Sequence, residues 1–164
     1  AALAVLNALQ PIGVTTLVLD TYGLGPALGH VAAVKPLAAV EALDAGVFTN
    51  LATLVTPVGG DAKPGDAILT VGVSYSDGSE LNIEVRHGDL EVLPLPLGQE
   101  AVLELRPKQG FDVGLGGRGK GGRRRVSGGL TGLIIDARGR PLSLPVEPEK
   151  RRERMQEWLC DVGG

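Results

Sequence analysis

Five cations, Arg118, Lys120, Arg123, Arg124 and Arg125, crowd into residues 114–129 with no acid among them. They ride on a backbone so rich in glycine that it can turn almost anywhere. Three chemistries suit such a stretch. It can bind a small anion through guanidinium groups and backbone amides, meet an acidic face of a partner protein, or neutralise the phosphates of a nucleic acid. Its glycines lack the Gly-x-x-x-x-Gly-Lys-Ser/Thr spacing of a phosphate loop. No aromatic residue is interleaved for base stacking, so nucleic-acid contact would be independent of base sequence. Contact with an acidic partner surface is the simplest of the three readings.

The remaining reactive side chains do not assemble into a constellation. His30 and His87 fall in different segments without Asp, Glu or Cys at metal-ligand spacing, and no metal or cofactor is expected in this chain. Ser127 lies in Val-Ser-Gly-Gly, which is not the Gly-x-Ser-x-Gly elbow of hydrolases, and Cys160 has no evident base. Nucleophilic catalysis is therefore not expected. Asp20 and Asp136 each end an apolar run, where a carboxylate either caps a turn, the simpler reading, or points into a cleft.

The elements that hold these residues follow from composition and pattern. Only 3% of the 164 residues are aromatic, so the core must be built from Val, Leu, Ile and Ala, and 25 glycines with 11 prolines imply many turns. That balance favours a turn-rich β component in one or two domains. The net charge of −3 hides an asymmetry: residues 1–105 carry 3 basic and 12 acidic groups, 106–140 carry 9 and 2, and 141–164 carry 4 and 5. The middle block either meets a polyanion or neutralises an acidic face of the same or a neighbouring molecule. An apolar pattern running from the first residues, without a basic leader, suggests a piece of a longer polypeptide rather than a signal peptide. A lone Cys160 and the lack of any membrane-length apolar run point to a soluble, cytoplasmic setting.

Along the chain, residues 2–9 are strong helix formers halted by Pro11 and Gly13. Residues 14–19 read as a buried strand, and 30–34 and 36–43 as two helices of small residues, the second opened by Pro36. From residue 47 the pattern turns to strands at 51–55, 69–75, 81–85, 90–93 and 101–105. An Asp77-Gly78 turn closes the hairpin between the second and third. Pro94 and Pro96 belong at an edge or corner. Residues 111–113 and 124–126 are expected to flank the basic loop as a long hairpin, 130–135 is an apolar strand, and 149–159 is a terminal helix with Met155, Trp158 and Leu159 on one stripe. The expected class is α+β. An α/β element spans residues 1–46, an antiparallel β-barrel or sandwich 47–145 with the basic loop at 114–129, and a C-terminal helix 146–164.

Three segments together resemble the C-terminal part of the glutamate-mutase-associated L proteins, the MutL/GlmL type. They are residues 6–20 (Leu-Asn-Ala-Leu-Gln-Pro-Ile-Gly-Val-Thr-Thr-Leu-Val-Leu-Asp), 24–29 (Leu-Gly-Pro-Ala-Leu-Gly) with 36–40, and 128–142. The segment Gly-Leu-Ile-Ile-Asp-Ala-Arg-Gly-Arg-Pro-Leu within the last is the most specific. The resemblance implies a longer protein with an actin/Hsp70-like ATPase portion. That protein would act as a chaperone-like or reactivating accessory factor for an adenosylcobalamin-dependent mutase. It implies that residues 1–46 are the tail of an ATPase lobe, that ATP belongs to the longer parent, and that Gly25 and Gly29 are the nearest candidates for a nucleotide edge. The leading expectation is a non-catalytic region acting by protein–protein contact, with Arg118, Lys120, Arg123, Arg124 and Arg125 as its contact. A phosphate-backbone binder and a self-associating structural domain, a homo-oligomer, are the alternatives.

Overall fold

The computed structural model describes residues 2–163. Ala1 and Gly164, at the outer ends of the first and last segments drawn from the sequence, lie outside the described residues. Helix α1 (Ala2–Leu9) stops where Gln10 turns left-handed at φ 43, and strand β1 (Gly13–Leu19) begins on Gly13 at φ 70. Gln10 is held there by its own side chain, whose Oε1 accepts the Leu142 amide at 2.8 Å. Helices α2 (Gly25–Val34) and α3 (Pro36–Asp44) follow, each opened by a proline whose missing amide costs nothing in a first turn.

The strands are β2 (Thr49–Thr56), β3 (Val58–Gly59), β4 (Ala67–Tyr75), β5 (Glu80–Arg86), β6 (Leu90–Leu93), β7 (Glu100–Pro107), β8 (Phe111–Asp112), β9 (Gly122–Ser127) and β10 (Gly132–Asp136). Helix α4 (Pro148–Asp161) closes the chain. One sheet has the order β1-β2-β10-β6, the other β5-β4-β7-β9, and β3 and β8 form a two-stranded ribbon.

The class is α+β, and no barrel closes. One face of the first sheet (Val55, Leu93, Leu133, Ile135) packs on Leu69, Val71, Val73, Leu103 and Leu105 of the second. Its other face (Ala52, Leu54, Leu90, Ile134) is covered by Leu3 and Leu6 of α1 and Trp158 of α4. A strand buried on both faces reads as a continuous apolar run rather than an alternation. Residues 132–135 are such a run, ended by Asp136, and all five are buried.

Two expectations about strand pairing need correction. The sheets are not wholly antiparallel, because β10 runs parallel to β2 with Ile134 opposite Leu54. The basic stretch is also not the tip of a hairpin between 111–113 and 124–126. Strand β8 pairs with β3, and β9 pairs antiparallel with β7. The physical reason is what each segment buries. Val126 sits opposite Ala101 over the sandwich core, whereas the Phe111 ring closes the end of the sandwich over Gly60, where a Cβ would find no room. The division drawn at residue 46 falls between β1 and β2, which are hydrogen-bonded neighbours in one sheet. The stripe on α4 is narrower than expected: Trp158 is buried and Met155 half-buried, but Leu159 stays exposed.

Candidate functional site

The five cations of the basic stretch do not share one loop. Arg123, Arg124 and Arg125 lie on β9, the outer strand of its sheet, and Arg118 and Lys120 on the turn before it. Arg123 bonds Glu104 at 3.2 Å and Arg125 approaches Glu100 at 3.5 Å, both on the neighbouring strand β7. Glu104 also binds Arg106 at 2.6 Å, and the hydrogen bonds from Arg106 and Arg123 hold its carboxyl below the ordinary glutamate value. Part of the positive charge that stood out in the sequence is thus met by glutamates of the same sheet. Among the described residues, Arg118, Lys120 and Arg124 form no ion pair.

Gly25 and Gly29 sit on α2, downstream of Asp20. The Asp20 carboxylate accepts the amides of Leu24 at 2.8 Å and Gly25 at 2.7 Å, so the first free amides of α2 already hold an anion. The bond from Gly25, with help from Leu24, keeps this carboxyl below its ordinary value. Gly29 is exposed within the helix and would give a side chain open space. Asp20→Ala is expected to release those two amides and fray the first turn of α2. Faster hydrogen exchange at Leu24 and Gly25, with β4 and β7 unchanged, checks this; unchanged exchange at both amides would contradict it.

The most densely bonded polar group was not singled out from the sequence as a cluster. Asp136, at the end of β10, receives Arg138 Nε at 2.8 Å and Arg138 Nη2 at 2.7 Å, and Arg140 Nη2 at 2.6 Å. The Arg138 guanidinium also reaches Asn7 Oδ1 at 2.9 Å and lies 4.6 Å from the centre of the Trp158 ring. Arg140 bonds the Pro11 and Gly139 carbonyls. The cluster therefore joins α1, the turn after β10 and α4 at one point. Asp136 does cap its turn, through the Arg138 amide at 3.3 Å, but its larger part is to hold two buried guanidiniums.

No protein-family model matches the chain, and no curated protein or solved structure does either. What it does must be argued from these residues. Among the described residues no group of His, Cys, Asp and Glu is arranged to hold a metal ion, and no helix is long and apolar enough to cross a membrane. Cys160 is exposed, His30 bonds the Pro26 carbonyl of its own helix, and the Ser127 carbonyl accepts the Thr53 hydroxyl.

A feature that sequence pattern could not reveal is the state of α2 and α3. They pack on each other, yet α2 buries no residue and α3 buries only Ala39. Val31, Val34, Leu37, Val40 and Leu43 all stand exposed, Val34 at 79% and Leu37 at 71%, with Tyr22 beside the hairpin at 78%.

Proposed function

We propose that this chain is a non-catalytic docking region of an accessory protein, acting by protein–protein contact on an adenosylcobalamin-dependent mutase, as its resemblance to the mutase-associated L proteins implies. The observation that carries the docking part is the α2–α3 hairpin, which holds five large apolar side chains in solvent while burying one alanine. Large apolar side chains exposed together on one helical hairpin point to a protein contact. Covering them removes apolar area from water. The cations Arg118, Lys120 and Arg124, unpaired among the described residues, would favour acidic groups on the same partner and add to the rate of encounter more than to affinity.

The test is affinity capture from an extract of the source cell, with and without nuclease, read by mass spectrometry. Recovery of a cobalamin-dependent mutase that survives nuclease is expected. The double substitution Val34→Glu/Leu37→Glu is expected to reduce that recovery at least about tenfold. Both side chains are exposed, so the variant should keep its stability to within about 0.5 kcal/mol. Equal recovery with the variant, or no mutase at all, would refute the reading. An eluate of nucleic-acid-bound proteins that vanishes with nuclease would shift the function to the cations around β9.

A further inference from the structure

Two cavities meet at His87. One, of about 270 Å³, lies between the turn at residues 138–143 and the β3–β8 ribbon; the other, of about 330 Å³, continues from His87 and Ser143 toward Trp158. The first approaches the lower end of the size range of small-molecule sites. Phe111, Ile68, Pro57 and Pro141 give it apolar walls.

The charged residues on these walls are all arginines. Arg138 and Arg140 line the first cavity and Arg138 and Arg154 the second, His87 lines both, and no acid lines either. Just behind lies the Asp136 cluster, in which two guanidiniums share one carboxylate. The Arg138 and Asp136 side chains are 0% exposed and that of Arg140 is 6% exposed. The Asn7, Pro11 and Gly139 oxygens satisfy hydrogen bonds there but bring no negative charge. One positive charge is left over in a desolvated place, and that is costly without a counter-ion.

A ring nitrogen is also left over. Nδ1 of His87 is buried without a hydrogen-bond partner among the described residues. The His87 backbone is pinned by its amide to the Asp66 carbonyl at 2.8 Å and by the Gly65 amide at 2.9 Å, which fixes the root of the ring. A buried polar atom with no partner calls for an explanation, and a bound acceptor beside it supplies one.

We propose that the first cavity binds a small organic anion, a carboxylate or phosphate monoester. Its charged head lies beside His87 and the 138–143 turn, and its apolar part lies against Phe111. The site is independent of the docking hairpin, so it stands or falls separately from the mutase reading.

Phenyl phosphate is the probe, titrated into isotope-labelled protein at fixed pH and ionic strength and followed by NMR. Saturable shifts of the His87 ring and the Gly139 amide are expected with a midpoint below about 1 mM, with benzoate comparing the carboxylate. Ser143 is exposed and borders both cavities, so Ser143→Phe should obstruct entry and raise the midpoint at least about tenfold without unfolding the chain. Should that variant fail to fold, His87→Leu takes its place with the same expectation. Shifts that grow without saturating, that are as large at Arg123, Arg124 and Arg125, or that persist unchanged in a folded variant would overturn the proposal.

Discussion

Asp136→Asn is expected to lower the stability of the fold by about 3–5 kcal/mol at neutral pH, because it leaves two buried guanidiniums without the carboxylate they share. Asn is nearly the same size, so the loss is one of charge rather than of packing. Burial is the largest single influence on this carboxyl and pushes its pKa up, but the hydrogen bonds and charges of Arg138 and Arg140 together outweigh it. The net result is a carboxyl held below its ordinary value of 3.8. A depressed carboxylate adds stability that is fully present above the unfolded value and is lost as pH falls through the folded one. Native protein should therefore lose part of its stability below about pH 4, in the window under the ordinary carboxylate value. The Asn variant should lack that part of the acid transition. Urea unfolding of both proteins between pH 7 and pH 2 measures it. A difference below about 1 kcal/mol at pH 7, or one that does not shrink with acid, would mean that the cluster does not hold α1 and α4 to the sheet as described.

Much of the scaffold was legible because its residues obey one period at a time. Leu69, Val71 and Val73 alternate with the half-buried Thr70 and Gly72 and the exposed Ser74, and Asp77-Gly78 fixes the turn, so β4 and β5 could be drawn from sequence. The run at 130–135 announced an apolar strand, but pattern cannot name a partner. Its parallel pairing with β2 joins segments far apart in the chain. Strand β9 was read short for a related reason. An edge strand with Arg123, Arg124 and Arg125 all exposed carries no alternation until Val126, and the glycines before it speak for a loop. The Asp136 cluster did leave a signal. Asp136, Arg138 and Arg140 alternate with Ala137 and Gly139, a period of two in polar residues directly after a buried strand, with opposite charges on one side of the chain. Taking Asp136 alone hid it. Nothing in the small apolar residues of α2 and α3 distinguishes an exposed helical hairpin from a buried one, since composition is the same whether or not a partner is present.

Gly128→Ala is expected to be among the most damaging substitutions of the chain, although the position looks like loose loop in the sequence. Residues 127–132 carry the chain from β9 in one sheet to β10 in the other. Asn50 Nδ2 donates to the Gly128 carbonyl at 2.8 Å, and the amides of Gly128 and Gly129 donate to Gln99 at 2.8 Å and Leu95 at 3.1 Å. A Cβ at Gly128 would press into the carbonyl oxygens of Leu95 and Pro96, and one at Gly129 would lie 2.6 Å from the Leu51 carbonyl. Neither glycine has a left-handed φ, so the demand is for space and not for conformation. Backbone meets backbone, and neither side can move without breaking the hydrogen bonds that tie this segment to the β6–β7 connection and to Asn50. The expected cost is at least about 4 kcal/mol, or a fall in thermal midpoint of roughly 10 °C for a chain of this size. Gly29→Ala is the matched control, since it adds the same atom into open space on α2 and should stabilise the helix by about 0.5–1 kcal/mol. If both substitutions raise the midpoint, the close approach of the two backbones is wrong, and Gly128 and Gly129 return to being part of a flexible basic loop. If they move it in opposite directions, the glycine-rich stretch ends in a packed seam between two sheets, which leaves the exposed Arg118, Lys120 and Arg124 before that seam to reach a partner.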